Sequence, residues 1–135
     1  MPTSFSYNKQ EKLKSRKLLE EVFTKGQSFH IFPFKVFYIS TNIELDFPIK
    51  AGVGASSKTF KKAVDRNYIK RLIREAYRLN KIPLHNYIHE HKKQLAVFIL
   101  YVGKELPQLQ QLQTKMPLVI DKLINAFNES ATANT

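Results

Sequence analysis

The sequence has no cysteine, which excludes a disulfide framework and a thiolate zinc site. No apolar run approaches the roughly 20 residues needed to span a bilayer. The opening MPTSFSYNKQEKLKSRK lacks the apolar stretch of a secretory signal. Acids are scarce, eleven against twenty-two lysines and arginines, and they are scattered along the chain. Metal-assisted phosphodiester hydrolysis wants converging carboxylates that hold two ions about 3.5–4 Å apart, and no spacing here suggests them. A Gly-rich phosphate loop, a nucleophile elbow and an HExxH helix are also missing. No catalytic side chain and no protein-held metal or cofactor is therefore expected. A reduced, cytoplasmic setting fits.

What is present is a basic, aromatic-rich chain of one-domain size: 135 residues, 43% hydrophobic, with ten phenylalanines and six tyrosines. The net charge of +11 and an isoelectric point near 9.9 suit a polyanionic partner. Charge concentrates in Ser57 to Lys81, SKTFKKAVDRNYIKRLIREAYRLNK, which has nine lysines and arginines against Asp65 and Glu75. Val64, Ile69, Leu72, Ile73, Ala76 and Leu79 fall near a helical repeat. Lys62, Arg66, Lys70, Arg74 and Arg78 step by four, drifting by roughly 40° per step into one slowly winding basic stripe. A merely solvated face is the alternative. Against it stand the near absence of acids for i,i+4 pairing and the amide of Asn67 among the arginines, suited to a phosphate, a 2′-hydroxyl or a base edge.

Around this helix the order reads α, two or three strands, α, strand, α, which is one α+β domain. Residues 1–14 are expected to be a flexible basic N-terminus, 15–128 the domain and 129–135 a flexible tail. Ser15 is positioned to cap a first helix running to about Lys25, with Gly26 past its end. Leu18, Leu19, Val22 and Phe23 form two i,i+4 pairs that the simplest reading buries together. Residues 27–31 are β-prone, Pro33 punctuates, and Phe34 to Thr41 is the clearest strand. It places Phe34, Val36 and Tyr38 on one face and Lys35, Phe37 and Ile39 on the other. Asn42 to Pro48 reads as a turn.

Ile49 to Ser56 is a strand of small residues with Gly52 and Gly54 on one face. That pattern marks either close approach of a backbone or ligand, or tight packing against a helix. Pro83 should end the basic helix, and residues 84–93 read as a short polar helix or loop. Its histidines 85, 89 and 91 are expected to be solvated rather than metal ligands. Leu95 to Val102 is an apolar run suited to an inner strand. Thr114 should cap a last helix with Pro117 in its first turn and Ile120, Leu123, Ile124 and Phe127 inward.

The basic stretch resembles the protein subunit of bacterial ribonuclease P. Ser57-Lys58 is followed by Ala63-Val64-Asp65-Arg66-Asn67-Tyr68-Ile69-Lys70-Arg71-Leu72-Ile73-Arg74-Glu75. This is similar to that family's Ser-Lys strand end and its Ala-Val-x-Arg-Asn-Arg-Ile-Lys-Arg-Leu-Ile-Arg-Glu helix. Val22-Phe23-x-x-Gly26, a strand with Tyr38, a late apolar strand and a closing helix follow in order, so the similarity covers roughly residues 9 to 128.

The resemblance implies a single-domain α/β sandwich of about four strands and three helices, with a left-handed βαβ crossover. It implies a partner, the catalytic ribonuclease P RNA, which with its Mg²⁺ ions cleaves the 5′ leader from precursor tRNA. The expected RNA-binding set is Lys58, Lys61, Lys62, Arg66, Asn67, Tyr68, Lys70, Arg71, Arg74 and Arg78. A cleft with Leu19, Phe23 and Tyr38 would receive the single-stranded leader. No membrane and no protein partner is expected. Three positions depart from the family pattern: Tyr68 replaces an arginine, Leu19 a common phenylalanine, and Tyr101 with Gln94-Leu95 the usual Asp and Arg. A structured-RNA-binding or ribosome-associated protein with no role in cleavage is the alternative, and a DNA-binding module fits poorly because it leaves the strands unexplained.

Overall fold

The computed structural model describes residues 12–13, 16–40 and 49–133, with side chains to residue 126. The expected Ser15 cap, the 42–48 turn, most of the basic N-terminus and the inward Phe127 lie outside that description. The elements run α1 (Arg16–Lys25), β1 (Gln27–Ile31), β2 (Phe34–Ser40), β3 (Ile49–Ala55), α2 (Ala63–Asn80), α3 (Ile82–Glu90), β4 (Leu95–Tyr101) and α4 (Leu109–Ala133). The strands form one sheet in the order β1-β2-β4-β3. β4 lies antiparallel to β2 and parallel to β3, so β3–α2–α3–β4 is a βαβ crossover. The apolar run around β4 is thereby the inner strand that its unbroken hydrophobicity predicts.

The sheet separates two packed layers. On one face Phe34, Val36, Ile49, Ala51, Val97, Ile99 and Tyr101 meet the buried sides of α2, α3 and α4. On the other, α1 sets Leu18 and Val22 against Ala96, with Phe37, Ile39 and Phe98 partly buried beside them. Leu13 joins this second layer. It is 7% exposed and its N–H donates to the Ala51 carbonyl at 3.0 Å, so the end of the supposedly free N-terminal segment is fastened to β3.

Gly26 makes the α1-to-β1 connection tight, because a β-carbon there would overlap the Val22 and Tyr38 carbonyl oxygens. Gly52 and Gly54 have a different reason. A β-carbon on Gly54 would stand 2.7 Å from Phe98 Cζ, and one on Gly52 3.0 Å from its Cδ2. The cleared face of β3 thus receives the Phe98 ring of the neighbouring strand and, beside Gly52, Leu13 of the N-terminal segment.

Several expectations need correction. There are four helices rather than about three, because the short helix, one of the two readings of residues 84–93, forms as α3, with Pro83 in its first turn. Leu84, His85 and Ile88 turn inward from α3. His85, expected in solvent, is buried with its Nε2 3.0 Å from the Tyr77 hydroxyl. α4 starts at Leu109, so Thr114 and Pro117 lie inside it. The added first turn lets Leu112 extend the buried row through Met116, Val119, Ile120 and Leu123, and that packing outweighs the N–H that proline lacks. At its far end the helical backbone continues to Ala133, into the expected tail.

Candidate nucleic-acid interface

α2 is amphipathic, with Ile69, Ile73, Ala76 and Tyr77 as its buried side. The apolar repeat read from the sequence overreaches at both ends: Val64 is 69% and Leu79 39% exposed. With the inner side fixed, a helix of about 3.6 residues per turn directs Asn67, Arg71, Arg74 and Arg78 outward. The arithmetic row of every fourth residue is not the outward row. Arg66 sits at its flank and bends back, its guanidinium donating to the Phe60 carbonyl at 2.7 Å and the Lys61 carbonyl at 3.1 Å. It therefore ties the β3–α2 connection to the helix. Lys81, counted in the basic stretch, is 1% exposed at the α2–α3 junction and leaves the charged surface altogether.

The outward row has one internal counter-charge. Arg78 grips Glu75 with two hydrogen bonds, Nε to Oε1 at 2.7 Å and a terminal nitrogen to Oε2 at 2.9 Å. The bond from Arg78 holds the Glu75 carboxyl below its ordinary value, and the same bond raises the guanidinium. These two residues, with Arg71, Leu72 and Arg74, line a shallow concavity of about 410 Å³ along the helix. Tyr68, the departure within the basic helix, is half-buried. Its hydroxyl lies 3.4 Å from the Pro107 carbonyl, and the Arg71 guanidinium sits 5.7 Å from its ring centroid. The tyrosine thus gives up a positive charge but supports the neighbouring one. Lys58, Lys61 and Lys62 are exposed on the approach to α2, and Lys70 is half-buried on its flank.

A second surface lies on the opposite side of the sheet. Phe23, at the outer edge of α1, is 47% exposed, so the four-residue apolar set of α1 does not all enter the core. Its ring meets Phe37 and Phe98 edge-on, with centroids 5.0 and 5.1 Å apart. Lys35 brings its ammonium 5.1 Å from the Phe37 centroid. Leu19 is half-buried in the same layer. Three rings, one open to solvent, with a cation beside them, offer the chemistry for stacking a flat base and neutralising an anion next to it.

Tyr38 is not part of it. Strand alternation sends Tyr38 to the face of Val36, where its hydroxyl donates to Gln27 Oε1 at 3.0 Å and its ring lies 5.9 Å from Phe29. Shifting one position along a strand exchanges faces, and Phe37 occupies the place expected of Tyr38. The alternation in FKVFYIS already separates the two residues. Phe98 had no such signal, because every position of β4 is apolar.

Among the described residues, no group of three His, Cys, Asp or Glu is arranged to hold a metal ion, and no helix is long and apolar enough to cross a membrane. A family model described as Ribonuclease P matches residues 7–124. A ribonuclease P protein component from Porphyromonas gingivalis is 31% identical over 133 residues, covering 98% of this chain and 97% of the relative. One from Chlorobium phaeobacteroides is 30% identical over 121 residues, 82% of this chain and 83% of the relative. The fold is similar to the ribonuclease P protein of Staphylococcus aureus, with a TM-score of 0.63 at 22% identity over 84% of this chain and 94% of that one. It is likewise similar to that of Thermotoga maritima, with a TM-score of 0.62 at 23% identity over 83% and 96%.

Proposed function

Since the chain belongs to the ribonuclease P family, we propose that it is the protein subunit of a ribonuclease P holoenzyme that removes the 5′ leader of precursor tRNA. The RNA subunit supplies the hydrolysis through Mg²⁺ ions that it holds itself. The protein supplies neutralisation and position. Asn67, Arg71, Arg74 and Arg78 lie along the catalytic RNA, with Lys58, Lys61, Lys62 and Lys70 adding phosphate contacts. Phe23, Phe37 and Phe98 stack the single-stranded leader, with Lys35 beside its backbone. Arg66 acts through the loop that it braces, and a cytoplasmic place of action follows from the substrate.

One observation carries this division of labour. The cations of α2 and the open rings around Phe23 lie on opposite sides of one sheet, so two RNA segments can be held at once. Stacking tolerates any base and is worth about 1–3 kcal/mol per base, which suits leaders of varied sequence. Phosphate contacts make the affinity fall with salt, with a logarithmic slope of about −0.7 per contact on single strands.

The test is reconstitution with bacterial ribonuclease P RNA and precursor tRNA at low Mg²⁺. Leader cleavage should rise well above that of the RNA alone. An unchanged rate with bound protein would leave a structured-RNA-binding protein without a role in cleavage.

A further inference from the structure

Where the β1–β2 turn meets the β4–α4 connection, three large apolar side chains face solvent: Phe32 at 66%, Leu106 at 50% and Val102 at 37% exposure. Single exposed apolar residues are ordinary, but three around one hollow mark a contact surface. With Lys104, Glu105 and Gln111 they line a hollow of about 340 Å³.

The hollow is held in shape from behind. The Val102 N–H donates to the Pro33 carbonyl at 2.8 Å and so joins the two loops. The Tyr101 hydroxyl donates to the Glu105 carbonyl at 2.5 Å. A β-carbon on Gly103 would overlap that hydroxyl, so only glycine lets the chain fold over it. Burial, and then the Glu105 carboxylate, push the Tyr101 phenol up, which keeps it a donor through the neutral range. Val102 and Leu106 are thereby presented outward in fixed positions.

An apolar wall with a few polar ends fits a flat heterocycle. The ring stacks on Phe32, its edge meets the Gln111 amide and the Glu105 carboxylate, and the attached phosphate reaches Lys104. A second copy of this chain is the poorer occupant, because each copy has a net charge of +11. The hollow also continues the surface where α2 begins. The Tyr101 ring lies 6.0 Å from that of Phe60, whose carbonyl holds Arg66. Tyr68 reaches Pro107, the neighbour of Leu106.

We propose that this hollow takes one unstacked nucleobase of the folded RNA that lies along α2. The inference rests on the RNA-binding reading above and adds a contact that the α2 row does not make.

The chain has no tryptophan, so Phe32→Trp introduces a single fluorescent reporter. Titration of that variant with bacterial ribonuclease P RNA should quench its emission to saturation. Phe32→Ala should weaken binding of the same RNA about tenfold, with an unchanged melting temperature because Phe32 is exposed. An unquenched reporter together with wild-type affinity in Phe32→Ala overturns the hollow and leaves the α2 reading standing. Quenching by a leader oligonucleotide but not by the folded RNA overturns it as well. So does self-association in sedimentation that Phe32→Ala abolishes. Failure of the unsubstituted chain to bind the RNA overturns both readings.

Discussion

Phe23 and Phe37 meet edge to face with their centroids 5.0 Å apart, one reaching over from α1 and the other standing on β2. Because Phe23 keeps nearly half its surface in solvent, the pair is a platform with an open side. Phe37→Leu should therefore weaken leader binding about tenfold, a stacking loss of about 1–2 kcal/mol. Tyr38→Phe, one residue along, should leave it unchanged, since that hydroxyl serves Gln27 on the other face. Equilibrium binding of precursor and mature tRNA to the two reconstituted holoenzymes measures the difference, and equal effects would refute the assignment of faces.

Gly54 should be as sensitive as the rings themselves. In Gly54→Ala the new methyl meets Phe98 Cζ at 2.7 Å, and that ring is also in edge contact with Phe23. Overpacking of this kind costs about 1–3 kcal/mol. A lowered melting temperature with reduced leader affinity is expected, while affinity for the catalytic RNA stays close to wild type.

Arg66→Ala should act twice. It removes a positive charge from the flank of α2 and two hydrogen bonds that hold the entry to the helix. Arg66→Lys restores the charge, but its ammonium ends one atom short of the single terminal nitrogen that donates to both carbonyls. Thermal denaturation should show both variants destabilised, by about 1–2 kcal/mol, with only the lysine recovering part of the RNA affinity. A lysine variant as stable as wild type would show that the brace contributes nothing.

Glu75 restrains the surface it belongs to. Glu75→Gln removes the carboxylate charge that competes with phosphate for Arg78, so RNA affinity should rise and the salt dependence should steepen by up to about 0.7–0.9 in logarithmic slope, one contact's worth. Because the folded carboxyl is held low by Arg78, the ion pair stays intact through the neutral range. Its contribution is present above the unfolded carboxyl's value and is lost as pH falls through the lower folded one. The gain in Glu75→Gln should therefore be constant between pH 6 and 8, as filter-binding titrations would show.

Much of this was readable from the chain. The bounds of α2 followed from its apolar period and Pro83, and the inner strand from an unbroken run of hydrophobic residues. What escaped depended on partners distant in sequence. Arithmetic spacing placed Arg66 on the stripe, but only the folded loop brings the Phe60 carbonyl to its guanidinium. His85 looked polar until Tyr77 supplied a partner for its ring nitrogen. The start of α4 was misread because Thr114 and Pro117 are good local signals, overruled by the packing of Leu112 against the core. Tyr38 is a different case: the alternation in β2 already separates it from Phe37 and sends it to the face away from α1.

The place of β4 in the sheet governs how the protein comes into being at the ribosome. β4 is the last strand to be made, yet it pairs with both β2 and β3 and sends Val97 and Ile99 into one layer and Ala96 and Phe98 into the other. Until residues 95–101 have emerged, β3 lacks its ladder and Phe23 and Phe37 lack their third ring. The four-stranded sheet and the three-ring cluster are therefore completed in the same event, while the other layer still waits for α4 to bring Leu112, Met116, Val119, Ile120 and Leu123.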